Sequence, residues 1–186
     1  MIPRANSMED IINTVDGNGK RTGSIGKLAA HEQGILHEAF STFIFNSKGE
    51  LLLQKRAIGK YHSGGLWTNT CCGHPRVGEG LLEGAERRLY EEMGISCKLE
   101  ALFPFIYKVA LDRGLTEHEY DYVCFGHFDG EPCLNPEEAD AYEWKSLPGL
   151  LSAIETEPDR YTYWLRNILK APEFNNAINN YLLITI

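Results

Sequence analysis

The segment GHPRVGEGLLEGAERRLYEEMGI, residues 73–95, carries more architectural information than any other part of the chain. Leu82, Ala85, Leu89 and Met93 recur at helical spacing and define one apolar face. Gly94 suits the left-handed residue that ends a helix, so residues 80–94 are predicted to be helical. Upstream runs the polar, glycine-rich stretch IGKYHSGGLWTNTCCGHPRVGE, residues 58–79, read as one long loop. Loops of that length in a compact domain usually carry function.

On either side, AFSTFIFNSKGELLLQKR (39–56) reads as two strands joined by a turn at Asn46 to Gly49. Residues 9–15, 101–111 and 117–128 also read as strands, and DGNGKRTG (16–23) as a turn. GKLAAHEQ is a short helix or irregular segment, and Met1 to Met8 a loose start. Helices are predicted near 147–157, 159–170 and 174–183. Strands interleaved with helices of mixed length imply an α+β fold, an α/β/α sandwich with mixed β-sheets flanked by helices. A single domain over 1–186 is expected, with its core at about 27–170.

The 186 residues carry a formal net charge of −8, which disfavours nucleic acid and anionic membrane as partners. The five cysteines are odd in number and two are adjacent, which suits reduced thiols in a cytoplasmic protein. Neither a signal peptide nor a membrane span is evident. Oligomeric state is left open, as is the role of the apolar end NYLLITI.

Gly73, Glu79 and the run Arg87-Arg88-Leu89-Tyr90-Glu91-Glu92-Met93-Gly94-Ile95 resemble the Nudix box, G-x5-E-x7-REUxEExGU, where U is bulky and aliphatic. A loop feeding a helix with carboxylates on one face can hold a divalent cation against a diphosphate. Nudix hydrolases carry a metal-binding Glu where this chain has Arg88. A guanidinium there weakens a hydrolytic metal cluster and can grip phosphate oxygens instead.

TNTCCGHP (68–75), GKLAAH (26–31), LHEAFSTFIF (36–45) and TEHEYDY (116–122) together resemble the type I isopentenyl-diphosphate isomerases, from about Lys27 to Trp164. The resemblance implies a Nudix-like fold and an enzyme that moves a proton across an allylic unit of an isoprenoid diphosphate. It implies a metal site of His31, His37, His74, Glu117 and Glu119. Three imidazoles and two carboxylates suit zinc or manganese better than calcium. Cys72 and Glu119 match the family's catalytic pair on opposite faces of the substrate. Tyr107 matches a tyrosine hydrogen-bonding near that glutamate, and Trp164 an indole that stabilises the cation. Lys27, Arg56, Lys60 and Arg88 match a cationic clamp for the diphosphate. Glu92, with backbone near Cys72, would bind a bridging magnesium.

The remaining candidates carry plainer readings. His62, His118 and His127 are assigned to structure. Cys71, Cys97, Cys124 and Cys133 are assigned to packing, as are Trp67 and Trp144. Arg87 and Glu91 are an i,i+4 pair on the helix. The competing function is a Nudix pyrophosphohydrolase, which would release phosphate or pyrophosphate.

Overall fold

The computed structural model describes residues 10–185. The expected loose start at Met1 to Met8 lies outside them. The strands are β1 (Ile11–Val15), β2 (Arg21–Gly26), β3 (His37–Phe45), β4 (Glu50–Arg56), β5 (Trp67–Thr68), β6 (Cys71–Gly73), β7 (Leu99–Ala110), β8 (Thr116–His127) and β9 (Ala139–Ser146). The helices are α1 (Lys27–Gln33), α2 (Leu81–Met93), α3 (Leu147–Thr156), α4 (Tyr163–Ile168) and α5 (Pro172–Thr185).

The nine strands form one connected, mixed sheet rather than separate sheets. Its spine is β3, buried along all nine residues. β3 runs parallel to β8 in unbroken register from His37–Glu119 to Phe45–His127. β3 meets β4 only at Phe45–Leu51, and the short β6 pairs with β3 while β5 pairs with β4. The two strands therefore diverge above that point, and residues 57–79 fill the gap.

Alternation along the strands loads both faces. Phe43, Phe45, Leu51, Leu53, Val123 and Phe125 meet α3, α4 and α5 through Leu150, Leu165, Ile168 and Phe174. Phe40, Ile44, Leu52 and Cys124 meet α2 through Ala85, Leu89 and Met93. The sandwich is thus helix, sheet, helix.

α2 follows its predicted limits. The Glu83 carboxylate accepts from Gly80 N at 3.2 Å, and Gly94 closes the helix at φ 66°. Glu79 and Arg87 explain part of the motif spacing. Arg87 donates to both Glu79 oxygens at 2.6 and 2.9 Å, and Glu79 accepts from Arg76 N at 2.8 Å. That fork ties the loop to the second turn of the helix.

Three readings need correction. Residues 21–26 form an edge strand where a turn was expected, because they pair with β1 across a tight turn at Asp16–Gly19. β9 was not anticipated. It pairs fully with β4 and places Tyr142 and Trp144 on the α2 side. Cys133 is exposed rather than packed.

Candidate active site

One face of the β3–β8 pair changes character along its length. Its far end holds Phe43, Phe45, Val123 and Phe125; its near end holds His37, Ser41, Glu117, Glu119 and Asp121. The polar end faces the 57–79 segment, which supplies the opposing wall.

His31 arrives from α1 and His74 from the end of β6. His31 Nδ1 lies 2.7 Å from Lys27 O, and His37 Nδ1 lies 2.7 Å from Ile35 O. Each Nδ1–H donated to a carbonyl leaves Nε2 as a bare lone pair. His37 Nε2 stands 3.1 Å from His74 Nε2, which stands 2.9 Å from Glu119 Oε1. His31 Nε2 is buried with no hydrogen-bond partner. Such an orphan is costly in a folded protein. Burial holds the proton affinity of His31 down and takes His74 to about 3, so both rings are neutral donors. One ligand atom from each of His31, His37, His74 and Glu119 lies within 4.8 Å of the others, a set able to hold a metal ion.

Glu117 is placed differently. Its ligand atom groups with His31 and His62, and its Oε1 lies 3.4 Å from His62 Nε2. Tyr107 Oη sits 2.8 Å from Glu117 Oε2 and 2.7 Å from Glu119 Oε2, sharing one proton between two carboxylates. Burial, then the charge of Glu119, pushes Glu117 well above the carboxylate range. Burial also disfavours ionised Glu119, but the neighbouring His37 and His74 outweigh it and hold that carboxyl low.

Cys72 lies across the same cavity. About 120 Å³ of space is lined by Cys72, Tyr107, Glu119 and Trp164. Burial and then the Asp121 carboxylate push the Cys72 thiol up, keeping it protonated. Ser41 Oγ lies 3.5 Å from Cys72 Sγ and donates to Asp121 Oδ2 at 2.8 Å.

Lys27, Arg56, Lys60, Arg88 and Glu92 also line this space. The Lys27 ammonium sits 5.1 Å from the Tyr61 ring centre, and the Arg56 guanidinium 5.3 Å from that of Trp164. Burial, followed by Lys60 and Arg88, lowers the Lys27 proton affinity, a sign that the cations converge. They are not free charges, however. Arg88 donates to Glu91 at 2.7 Å, Glu92 at 2.5 Å and Glu138 at 2.9 Å, and Lys60 pairs with Glu138. Three carboxylates thus face two cations, so this corner welcomes an anion best together with a divalent cation. Gln54 Nε2 holds the other Glu92 oxygen at 2.8 Å. Each carboxylate oxygen has a second lone pair, so Glu92 fits a further ion.

The structure brings together every residue proposed from sequence for the site, with His31 and His37 behind the cavity wall and the rest lining it. It adds four. His62, assigned to structure from sequence, is 3 % exposed and forms part of the wall. Asp121 continues the 117, 119 alternation and was legible on that ground. Asn69 lies within the TNTCC motif. Glu138 comes from the loop before β9, and no local pattern announces it.

A loop-strand-helix carboxylate site on a mixed sheet between helices defines the Nudix class. The NUDIX domain family model matches residues 35–167. Solved structures agree on the fold. A Deinococcus radiodurans protein superposes with TM-score 0.72 at 18% identity, covering 87% of this chain and 98% of its own. The MutT protein of Methanosarcina mazei gives 0.60 at 21%, covering 78% and 94%. Among curated relatives, "Isopentenyl-diphosphate Delta-isomerase 2" of Aromatoleum aromaticum is 50% identical over 85% of this chain and 84% of its own. The protein of the same name in Photorhabdus laumondii is 49% identical over 91% and 96%. The chain belongs to the isopentenyl-diphosphate Delta-isomerase family.

Proposed function

We infer that the chain interconverts isopentenyl and dimethylallyl diphosphate, adding one proton to the five-carbon unit and removing another. The observation that carries this reading is a thiol and a carboxylate, Cys72 and Glu119, lining one cavity that cationic side chains also line.

The Cys72 S–H gives its proton to the terminal alkene carbon, leaving a tertiary cation and a thiolate. Glu119 then takes a proton from the carbon nearer the diphosphate, and the double bond moves inward. In reverse, Glu119 is the donor and Cys72 the acceptor, as microscopic reversibility requires. Trp164 lies beside the cation, whose contact with an indole face contributes about 0.5–2 kcal/mol. Tyr107 restrains Glu119 and steadies its charge. Lys27, Arg56, Lys60 and Arg88 tether the diphosphate.

His31, His37, His74 and Glu119, joined by Glu117, would hold zinc or manganese. That ion would supply fixed positive charge beside Glu119. Glu92 and backbone near Cys72 would hold magnesium against the diphosphate.

Incubation with isopentenyl diphosphate in deuterated water tests the reading. Deuterium in the allylic product, lost with chelator, supports it. Release of phosphate or pyrophosphate without exchange would establish a hydrolase instead.

A further inference from the structure

Asn69 is fully buried, and its hydrogen bonds can be accounted for completely. Nδ2 donates to Thr42 O at 3.0 Å and to Cys71 O at 3.1 Å. Both amide protons are therefore committed, which fixes Oδ1 as the atom facing Cys72 and removes the flip ambiguity of an amide. Oδ1 has two lone pairs. One accepts from Thr68 Oγ1 at 3.0 Å, and the other faces Cys72 Sγ at 3.2 Å.

Thr68 is just as constrained. Its hydroxyl accepts from Trp164 Nε1 at 2.8 Å and from Thr162 Oγ1 at 3.0 Å. An indole N–H can only donate, so the Thr68 proton is directed to Asn69. The second neighbour of the sulfur behaves alike. Ser41 donates its proton to Asp121, so a lone pair faces Cys72 at 3.5 Å. The sulfur is thus flanked by two acceptors.

We propose that Thr68 and Asn69 are positioning residues that lock the Cys72 sulfur and the Trp164 indole in one fixed relation. The same Thr68 hydroxyl sets the indole beside the cation, so one buried chain aligns the acid and the aromatic wall. The proposal rests on the acid–base reading of Cys72 and Glu119.

The test separates kcat from KM for the diphosphate in variants along this chain, with far-ultraviolet circular dichroism as the check on folding. In Asn69→Ala, kcat is expected to fall about tenfold, with KM for the diphosphate within about twofold. Thr68→Val and Thr68→Ser decide the matter if Asn69→Ala does not fold. Thr68→Val should lose kcat about tenfold at constant KM, and Thr68→Ser should restore it. Wild-type kcat in Thr68→Val, or a folded Asn69→Ala with normal kcat, overturns the proposal. An active Cys72→Ala instead overturns the acid–base reading, so the two failures are distinct.

Discussion

Arg88 Nη2 donates to Glu138 Oε1 at 2.9 Å, tying α2 to the loop that precedes β9. The contact closes one end of the cavity and spends part of the charge that a diphosphate would meet. Arg88→Glu is expected to raise the KM for the diphosphate about tenfold or more, since it exchanges a gripping cation for a repelling anion. Steady-state kinetics at fixed magnesium check it. An unchanged KM would place the clamp elsewhere.

Glu138 gives a stability signature in acid. Burial disfavours its charge, but Arg88 and Lys60 outweigh that and lower it from 4.5 to about 2. A carboxyl lowered by folding contributes stability that is complete above its unfolded value. That contribution is lost as pH falls from about 4.5 toward about 2. The urea midpoint of wild type should exceed that of Glu138→Gln by a constant margin near neutrality. The margin should shrink between about pH 5 and pH 3. A margin independent of pH would show that Glu138 acts by packing alone.

Turnover should need both members of the proposed pair. Cys72→Ala and Glu119→Gln are each expected to lower kcat by about a hundredfold or more. Far-ultraviolet circular dichroism should stay unchanged. Near-normal turnover in either variant contradicts the roles assigned to them.

The metal set should be visible without any assay of activity. Converging Nε2 atoms and an orphaned nitrogen on His31 imply that a bound divalent ion stabilises the fold. A chelator should lower Tm, and zinc or manganese should restore it. His31→Ala should abolish the shift. A Tm indifferent to chelator in wild type would argue that these groups hold no ion.

Much of this was legible from residue patterns. The 3.6-residue periodicity of Leu82 to Met93 and the closing Gly94 gave α2 nearly to the residue. The turn at Asn46 to Gly49 marked β3 and β4 as paired strands, and β7 and β8 also read as strands. The edge strand β2 and the polar β9 escaped, because their pairing partners rather than their own composition make them strands. Two short strands, β5 and β6, lie inside what read as loop. They form only because β3 and β4 splay and leave edges to fill. In the site, motif spacing singled out the histidines, Cys72 and Glu119. It did not disclose that Glu138 neutralises Lys60 and Arg88, a relation between segments about fifty to eighty residues apart. His62 was set aside because a lone histidine in a loop is ordinary. Only the folded chain puts it against Glu117.

The parallel zipper of β3 and β8 sets His37 level with Glu119. A one-residue slip of β3 would turn His37 and Ser41 to the opposite surface, away from Glu119 and Asp121, and bring Phe40 and Ile44 round in their place. Retention of a metal by this set would therefore be a proofreading readout for folding. A molecule that captured an ion there would have aligned its two innermost strands correctly, so bound-metal stoichiometry in a refolded preparation would count the molecules that reached the native alignment.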